Sequence, residues 1–132
     1  MFTIVPNTDS QFTVVRDIAF EVWPKTYGAI LTEAQLTYML EMMYSVAALQ
    51  EQARLKQHHF VLIYSNDEAV GFASFEHNVN HSGKTKIHKI YILSSQQGKG
   101  TGKALVDYIE QQALAIGDKA LFLNVNKYNS AI

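Results

Sequence analysis

Three glycines in the run Gln97-Gly98-Lys99-Gly100-Thr101-Gly102 constrain this chain more than any other segment. Ile90-Tyr91-Ile92-Leu93 reads as a strand that runs into them. Behind them Ala104, Leu105, Tyr108, Ile109, Gln112 and Ile116 recur at helical spacing, and Gly117 is placed to stop that helix. The first turn of a helix leaves amide hydrogens without internal partners, and the helix dipole adds partial positive charge there. Glycine has no Cβ, so a diphosphate can come close to the backbone. Lys99 and Lys103 add charge beside the turn. Strand, glycine loop and helix together make an anion cradle.

Spacing tests which cradle it is. A Walker loop aligned on Gly102-Lys103 needs glycine at Gln97 and Ser or Thr at Ala104, and both positions fail. A Rossmann fingerprint started at Gly98 puts Lys103 at its last glycine, and started at Gly100 puts Leu105 there. Such a fingerprint also expects the first strand of a βαβ unit, whereas this strand comes late in the chain.

The remaining elements can be read in order. Phe2 to Val5 suits a short strand ending at Pro6. Phe12, Val15, Ile18, Ala19 and Val22 share a helical face, and Pro24 predicts an end at Trp23. Thr32-Glu33-Ala34-Gln35 is a capping box that opens a second helix, and Ser45 caps a third ending near Gln57. Phe60 to Tyr64, a turn at Asn66-Asp67, Ala69 to Phe75 and then Thr85 to Leu93 read as three strands. Ala120 to Asn126 is a last strand. The order predicts a mixed α/β sheet in a single domain, residues 1–132.

Composition excludes several classes of function. Hydrophobic residues make up 48% and charged residues 17%, which is ordinary for a globular chain. Eleven Lys and Arg against 12 Asp and Glu leave a net charge of -1, so no broad field is available to hold nucleic acid. There are no cysteines, hence no disulfide, thiolate zinc site or cysteine nucleophile. Apolar runs are too short to cross a bilayer, and Met1 to Ser10 shows no basic stretch followed by an apolar run. A cytoplasmic protein without membrane attachment is expected. No metal is expected either: His58 and His59 are adjacent and should point apart on a strand, and no third ligand has sensible spacing.

The glycine loop matches Q/R-x-x-G-x-G/A, with Gln97, Gly100 and Gly102 in the three fixed positions. In this, and in element order over nearly the whole chain, the sequence resembles the GNAT N-acetyltransferases. Trp23, Tyr27, Tyr38-Met39-Leu40 and Met43-Tyr44-Ser45 are more loosely similar to the bacterial polyamine-type subgroup. The resemblance implies acetyl-CoA as co-substrate, its pyrophosphate held by Gln97, Gly98, Lys99, Gly100, Thr101, Gly102 and Lys103. It implies that Tyr91 and Ile92 offer backbone partners to the pantetheine arm, with an N–H near Ile92 as oxyanion donor, and that Asn129 contacts CoA.

Acetyl transfer to an amine needs a base, because an alkylammonium with a pKa near ~10.4 must lose a proton before it attacks. Where the family often carries Glu or His, register counting gives Lys86, a poor base. His88, two residues on and on the same strand face, is the first catalytic candidate, and Glu76 on the neighbouring strand is the second. A small-molecule amine, such as a polyamine, is the expected acceptor. The family continues past the point where this chain stops, at Asn129-Ser130-Ala131-Ile132. A shortened form with an open sheet edge is therefore expected, which invites a homodimer. The rival reading is a catalytically incomplete CoA-binding or assembly module.

Overall fold

The structure, a computed structural model, describes residues 2–6, 12–55, 57–96 and 98–123, without the side chains of Thr26 and Leu123. In chain order these form β1 (Phe2–Pro6), α1 (Phe12–Tyr27), α2 (Glu33–Tyr44), α3 (Val46–Leu55), β2 (His59–Ser65), β3 (Glu68–Glu76), β4 (Lys84–Ile92), α4 (Thr101–Ala115) and β5 (Ala120–Leu123). Single turns of 3-10 helix lie at Val79–His81 and Ser94–Gln96. The strands lie in the order β1-β2-β3-β4-β5. All neighbours are antiparallel except β4 and β5, which are parallel.

Local chemistry accounts for most boundaries. The Thr32 hydroxyl accepts from the Gln35 N–H at 3.1 Å, and the Gln35 side chain accepts from the Thr32 N–H at 2.8 Å, which completes the capping box. Ser45 ends α2 and opens α3 by accepting from the Ala48 N–H at 3.2 Å. Asn66 and Asp67 both adopt positive φ, the conformation a two-residue hairpin turn requires.

One predicted boundary is wrong. The first helix does not stop at Trp23 but runs through Pro24 to Tyr27. Proline removes one amide donor. The helix continues because Trp23 and Tyr27, on either side of it, are both buried in the core. The stop comes at Gly28, whose N–H donates to the Pro24 carbonyl at 2.9 Å. The last strand, expected to reach Asn126, is described only to Leu123; residues 124 to 126 lie outside the described residues.

The sheet has a core on each face. On one, α1, α2 and α3 pack Val15, Tyr44 and Leu49 against Leu62, Phe72 and Tyr91. On the other, α4 packs Leu105 and Ile109 against Val61, Ala73, Ile90 and Ile92. Strand alternation explains the division, since Phe72 and Tyr91 face one way and Ala73 and Ile90 the other. The alternation breaks once in β4. Ser74 pairs with Lys89 and Phe75 with Ile87, so His88 is an extra residue in a bulge. No described helix is long and apolar enough to cross a membrane.

Candidate active site

The glycine loop has the geometry of a cradle. Gly98 and Gly100 sit at φ 80° and 82°, where a side chain is strained, and a Cβ on either would point into open space. Residues 98 to 100 are exposed. Gly100 is the N-cap of α4, and the first helical bond runs from the Ala104 N–H to the Gly100 carbonyl at 3.0 Å. The amides of residues 101 to 103 come before it, at the positive end of the helix. Thr101 offers only its backbone there, because its hydroxyl is buried and donates to the Gln96 carbonyl at 3.2 Å. Gly102 answers a packing need: a Cβ would lie 3.3 Å from Ile92 Cδ1. Lys99 and Lys103 are exposed, and Lys103 donates to Asp107 at 2.7 Å, a contact that raises its pKa. The surface so formed suits a diphosphate. Gln97 and Asn129 lie outside the described residues, as does Tyr128.

The strand that feeds the cradle has a directional edge. The Leu93 N–H donates to the Val70 carbonyl at 2.9 Å, and Tyr91 is paired with Phe72. Backbone groups of successive residues point to opposite edges. Tyr91 therefore turns its backbone toward β3, while Ile92 and Ile90 turn theirs toward the β5 side. Among the described residues β5 pairs only with Lys84 to Ile87. This corrects the expectation for Tyr91: its N–H and C=O are directed to the neighbouring strand, and Ile92, with Ile90, presents the edge. The Tyr91 side chain is instead core, packed among Trp23, Tyr44 and Phe72.

The two catalytic candidates meet. His88 Nε2 lies 3.0 Å from Glu76 Oε1. A bulge turns consecutive side chains to the same face, so His88 joins Lys89 on the α1–α3 side, where Lys89 donates to Gln52 of α3 at 2.7 Å. Partial burial lowers the His88 pKa from its usual 6.5; the Glu76 hydrogen bond opposes this, and Lys86 and Lys89 add to it. His88 is thus neutral at pH 7. Because an ionised carboxylate only accepts, the Nε2 of this pair carries the proton and Nδ1 the lone pair. Lys86, opposite Glu76 in register, acts on His88 only as a nearby charge.

Sequence spacing missed a third member. His58 and His59 do point apart, as adjacent residues should: His59 stacks on Phe75, and His58 stacks on His88 with ring centroids 4.0 Å apart. The His58 Nε2 is 3.9 Å from Glu76 Oε1. The reading that His58 lacks a converging set is therefore overturned, because chain folding supplies partners 18 and 30 residues away. No sequence signal marks this convergence, which depends on the hairpin register and the β4 bulge.

Aromatic rings wall the same side of the sheet. Trp23 lies 4.6 Å from Tyr27 and 5.6 Å from Tyr44 between ring centroids. Burial and the neighbouring Tyr91 push the Tyr27 pKa up to about 12 and that of Tyr44 well above its usual value, so both remain neutral. Tyr38, grouped with them by sequence, is exposed on α2. Of the methionines, Met39 and Met43 pack against the core and Met42 is exposed.

A sequence model of the Acetyltransferase (GNAT) family matches residues 16–131. No curated protein matches the chain by sequence. Among solved structures, the PaiA N-acetyltransferase from Thermoplasma acidophilum in complex with coenzyme A superposes with a TM-score of 0.84 at 21% identity, covering 98% of this chain and 82% of that one. A GCN5-related N-acetyltransferase from Rhodopseudomonas palustris gives a TM-score of 0.74 at 20% identity, covering 96% and 74%. An aminoglycoside acetyltransferase from an uncultured soil metagenomic sample, in complex with sisomicin, gives 0.70 at 12% identity, covering 98% and 80%. At these identities the structural likeness establishes the fold.

Proposed function

Given that the chain belongs to the GNAT acetyltransferase family, whose general activity is acetyl-CoA-dependent N-acetylation, we propose that it acetylates the primary amine of a small cationic acceptor, such as a polyamine, with His88 as the base. Acetyl-CoA supplies the acetyl group as an activated thioester. The residues of the cradle fit its diphosphate: left-handed Gly98 and Gly100 leave open the space a Cβ would fill, and the amides of residues 101 to 103 stand at the head of α4.

The remaining work falls to β4. The Ile92 N–H, directed off the strand edge, is a donor for negative charge building on an acyl oxygen. The acceptor arrives as an ammonium ion and must give up a proton. Neutral His88 takes it at Nδ1, and the imidazolium that results is stabilised by Glu76 across the 3.0 Å contact. As the new C–N bond replaces the thioester C–S bond, the acceptor nitrogen gives its second proton to the departing thiolate, and His88 returns its own to solvent. The name of one structural neighbour, an aminoglycoside acetyltransferase in complex with sisomicin, agrees with a small amine.

The observation that carries this reading is the His88–Glu76 pair on the strand that opens into the α4 cradle. The test is CoA thiol release with spermidine, an aminoglycoside and a lysine peptide as acceptors. Amine-dependent release that His88→Gln suppresses supports the proposal. CoA binding without transfer to any amine would make the chain a binding module instead.

A further inference from the structure

His58, Glu76 and His88 bring three donor atoms of mixed chemistry to one point. Their nearest ligand atoms all lie within 4.8 Å of one another. His88 Nε2 and Glu76 Oε1 are 3.0 Å apart, and His58 Nε2 is 3.9 Å from the same oxygen. A tetrahedral zinc ion, with bonds of about 2.0–2.2 Å, holds its ligand atoms roughly 3.3 Å apart. The Glu76–His88 pair already has that spacing, and His58 reaches it by a small closing movement. His58 sits on the short connection between α3 and β2, so its ring can tilt out of the stack without moving a strand.

Protonation and exposure agree. The two imidazoles stack at 4.0 Å, with each Nε2 turned to the same Glu76 oxygen. Metal ligation requires the neutral form. The side chains of His58, Glu76 and His88 are 11%, 25% and 19% exposed, which shields an ion yet leaves a way in. Lys86 and Lys89 stand close enough to depress the His88 pKa, and they disfavour a weakly held cation. Two imidazoles and one carboxylate match Zn2+, not the all-oxygen shells of Mg2+ or Ca2+.

We propose that His58, Glu76 and His88 bind Zn2+, and that the bound ion silences acetyl transfer. The first part stands on geometry alone; the second rests on the role given to His88 under Proposed function. Zinc on Nε2 displaces the proton from that nitrogen, and the ring's single proton then sits on Nδ1. That is where the lone pair of the base was, so no proton is gained or lost, but His88 can no longer accept one from an amine.

The test is titration of the metal-free full chain with ZnCl2 against a chromophoric chelator, followed by acetyl-transfer assays with and without zinc. One zinc per chain is expected, with His58→Ala and Glu76→Gln each weakening binding about tenfold or more. Metal-free thermal midpoints establish that the variants fold. On the wild type, Co2+ should develop the visible absorption bands of a four-coordinate nitrogen–oxygen site, a measurement that needs no variant. Absence of zinc uptake and of cobalt bands, or undiminished uptake in both variants, overturns the site. Zinc bound at this site without inhibition, in an enzyme active when metal-free, overturns the silencing. A metal-free protein inactive on every amine instead contradicts the proposed function and leaves the metal site standing.

Discussion

His88 and Glu76 face each other across the β3–β4 boundary at 3.0 Å because β4 carries one residue more than β3 at that point. Regular pairing would turn His88 and Lys89 to opposite faces. The bulge lets both project toward α1–α3, so that an imidazole meets a carboxylate while Lys89 reaches Gln52. The His88–Glu76 contact is therefore set by backbone register.

Replacing Glu76 with Gln tests that pairing. Both the hydrogen bond to Glu76 and its negative charge raise the His88 pKa against the effect of burial, so a neutral amide in its place lowers that pKa further. The acid limb of kcat/KM should move to lower pH, and the plateau should fall roughly tenfold or more as the imidazolium loses its stabilising charge. A pH–rate profile of the variant reads both. An unchanged profile would show that Glu76 does not act on the base.

Gly100→Val tests the cradle. The position has φ 82°, which a β-branched residue adopts poorly, and the added side chain would occupy the space in front of α4. CoA binding measured by calorimetry should weaken about tenfold, equivalent to ~1.4 kcal/mol. Circular dichroism should show the fold retained, since the new Cβ meets no protein atom.

Gly28→Ala tests the revised end of α1. A Cβ there would lie 2.3 Å from the Pro24 carbonyl oxygen, and that oxygen is held by the Gly28 N–H. Relieving the clash means giving up the bond that ends the helix. A loss of about 1–3 kcal/mol is expected, read as a lower midpoint in urea.

Acid sensitivity should trace partly to Asp118. Its carboxylate accepts from the Thr85 hydroxyl at 2.6 Å and the Asn78 N–H at 2.9 Å, and these bonds hold its pKa below the usual carboxylate value. Stability from this group is complete above the unfolded pKa of about 3.9 and fades as pH falls through the lower folded value. The thermal midpoint of Asp118→Ala should lie below that of the wild type at neutral pH, and the gap should narrow in acid. A gap constant with pH would contradict the assignment.

Much of this could be read from the chain. Gln97 to Gly102 carried the family signature, the Thr32–Gln35 box placed α2, Asn66-Asp67 placed the hairpin, and Gly117, at φ 88°, marked the end of α4. These are local signals whose meaning is settled within a few residues. What stayed hidden is non-local. Pro24 reads as a helix stop because propensity is local, whereas burial of Trp23 and Tyr27 on either side of it keeps the helix going. The inward backbone of Tyr91 follows from pairing with Phe72 and cannot be seen in β4 alone. His58 joins Glu76 and His88 only through the β2–β3–β4 register, and Asp118 closes on Asn78 and Thr85 from 40 and 33 residues away.

The most direct test is the pH dependence of kcat/KM for amine acetylation in the wild type and in His88→Gln. The wild type should show an acid limb below about pH 6.5, since the pKa of His88 is lowered from its usual value. The variant should lose on the order of 10²- to 10⁴-fold in rate together with that limb, while CoA affinity is unchanged. A variant that keeps both the rate and the limb would contradict His88 as the base.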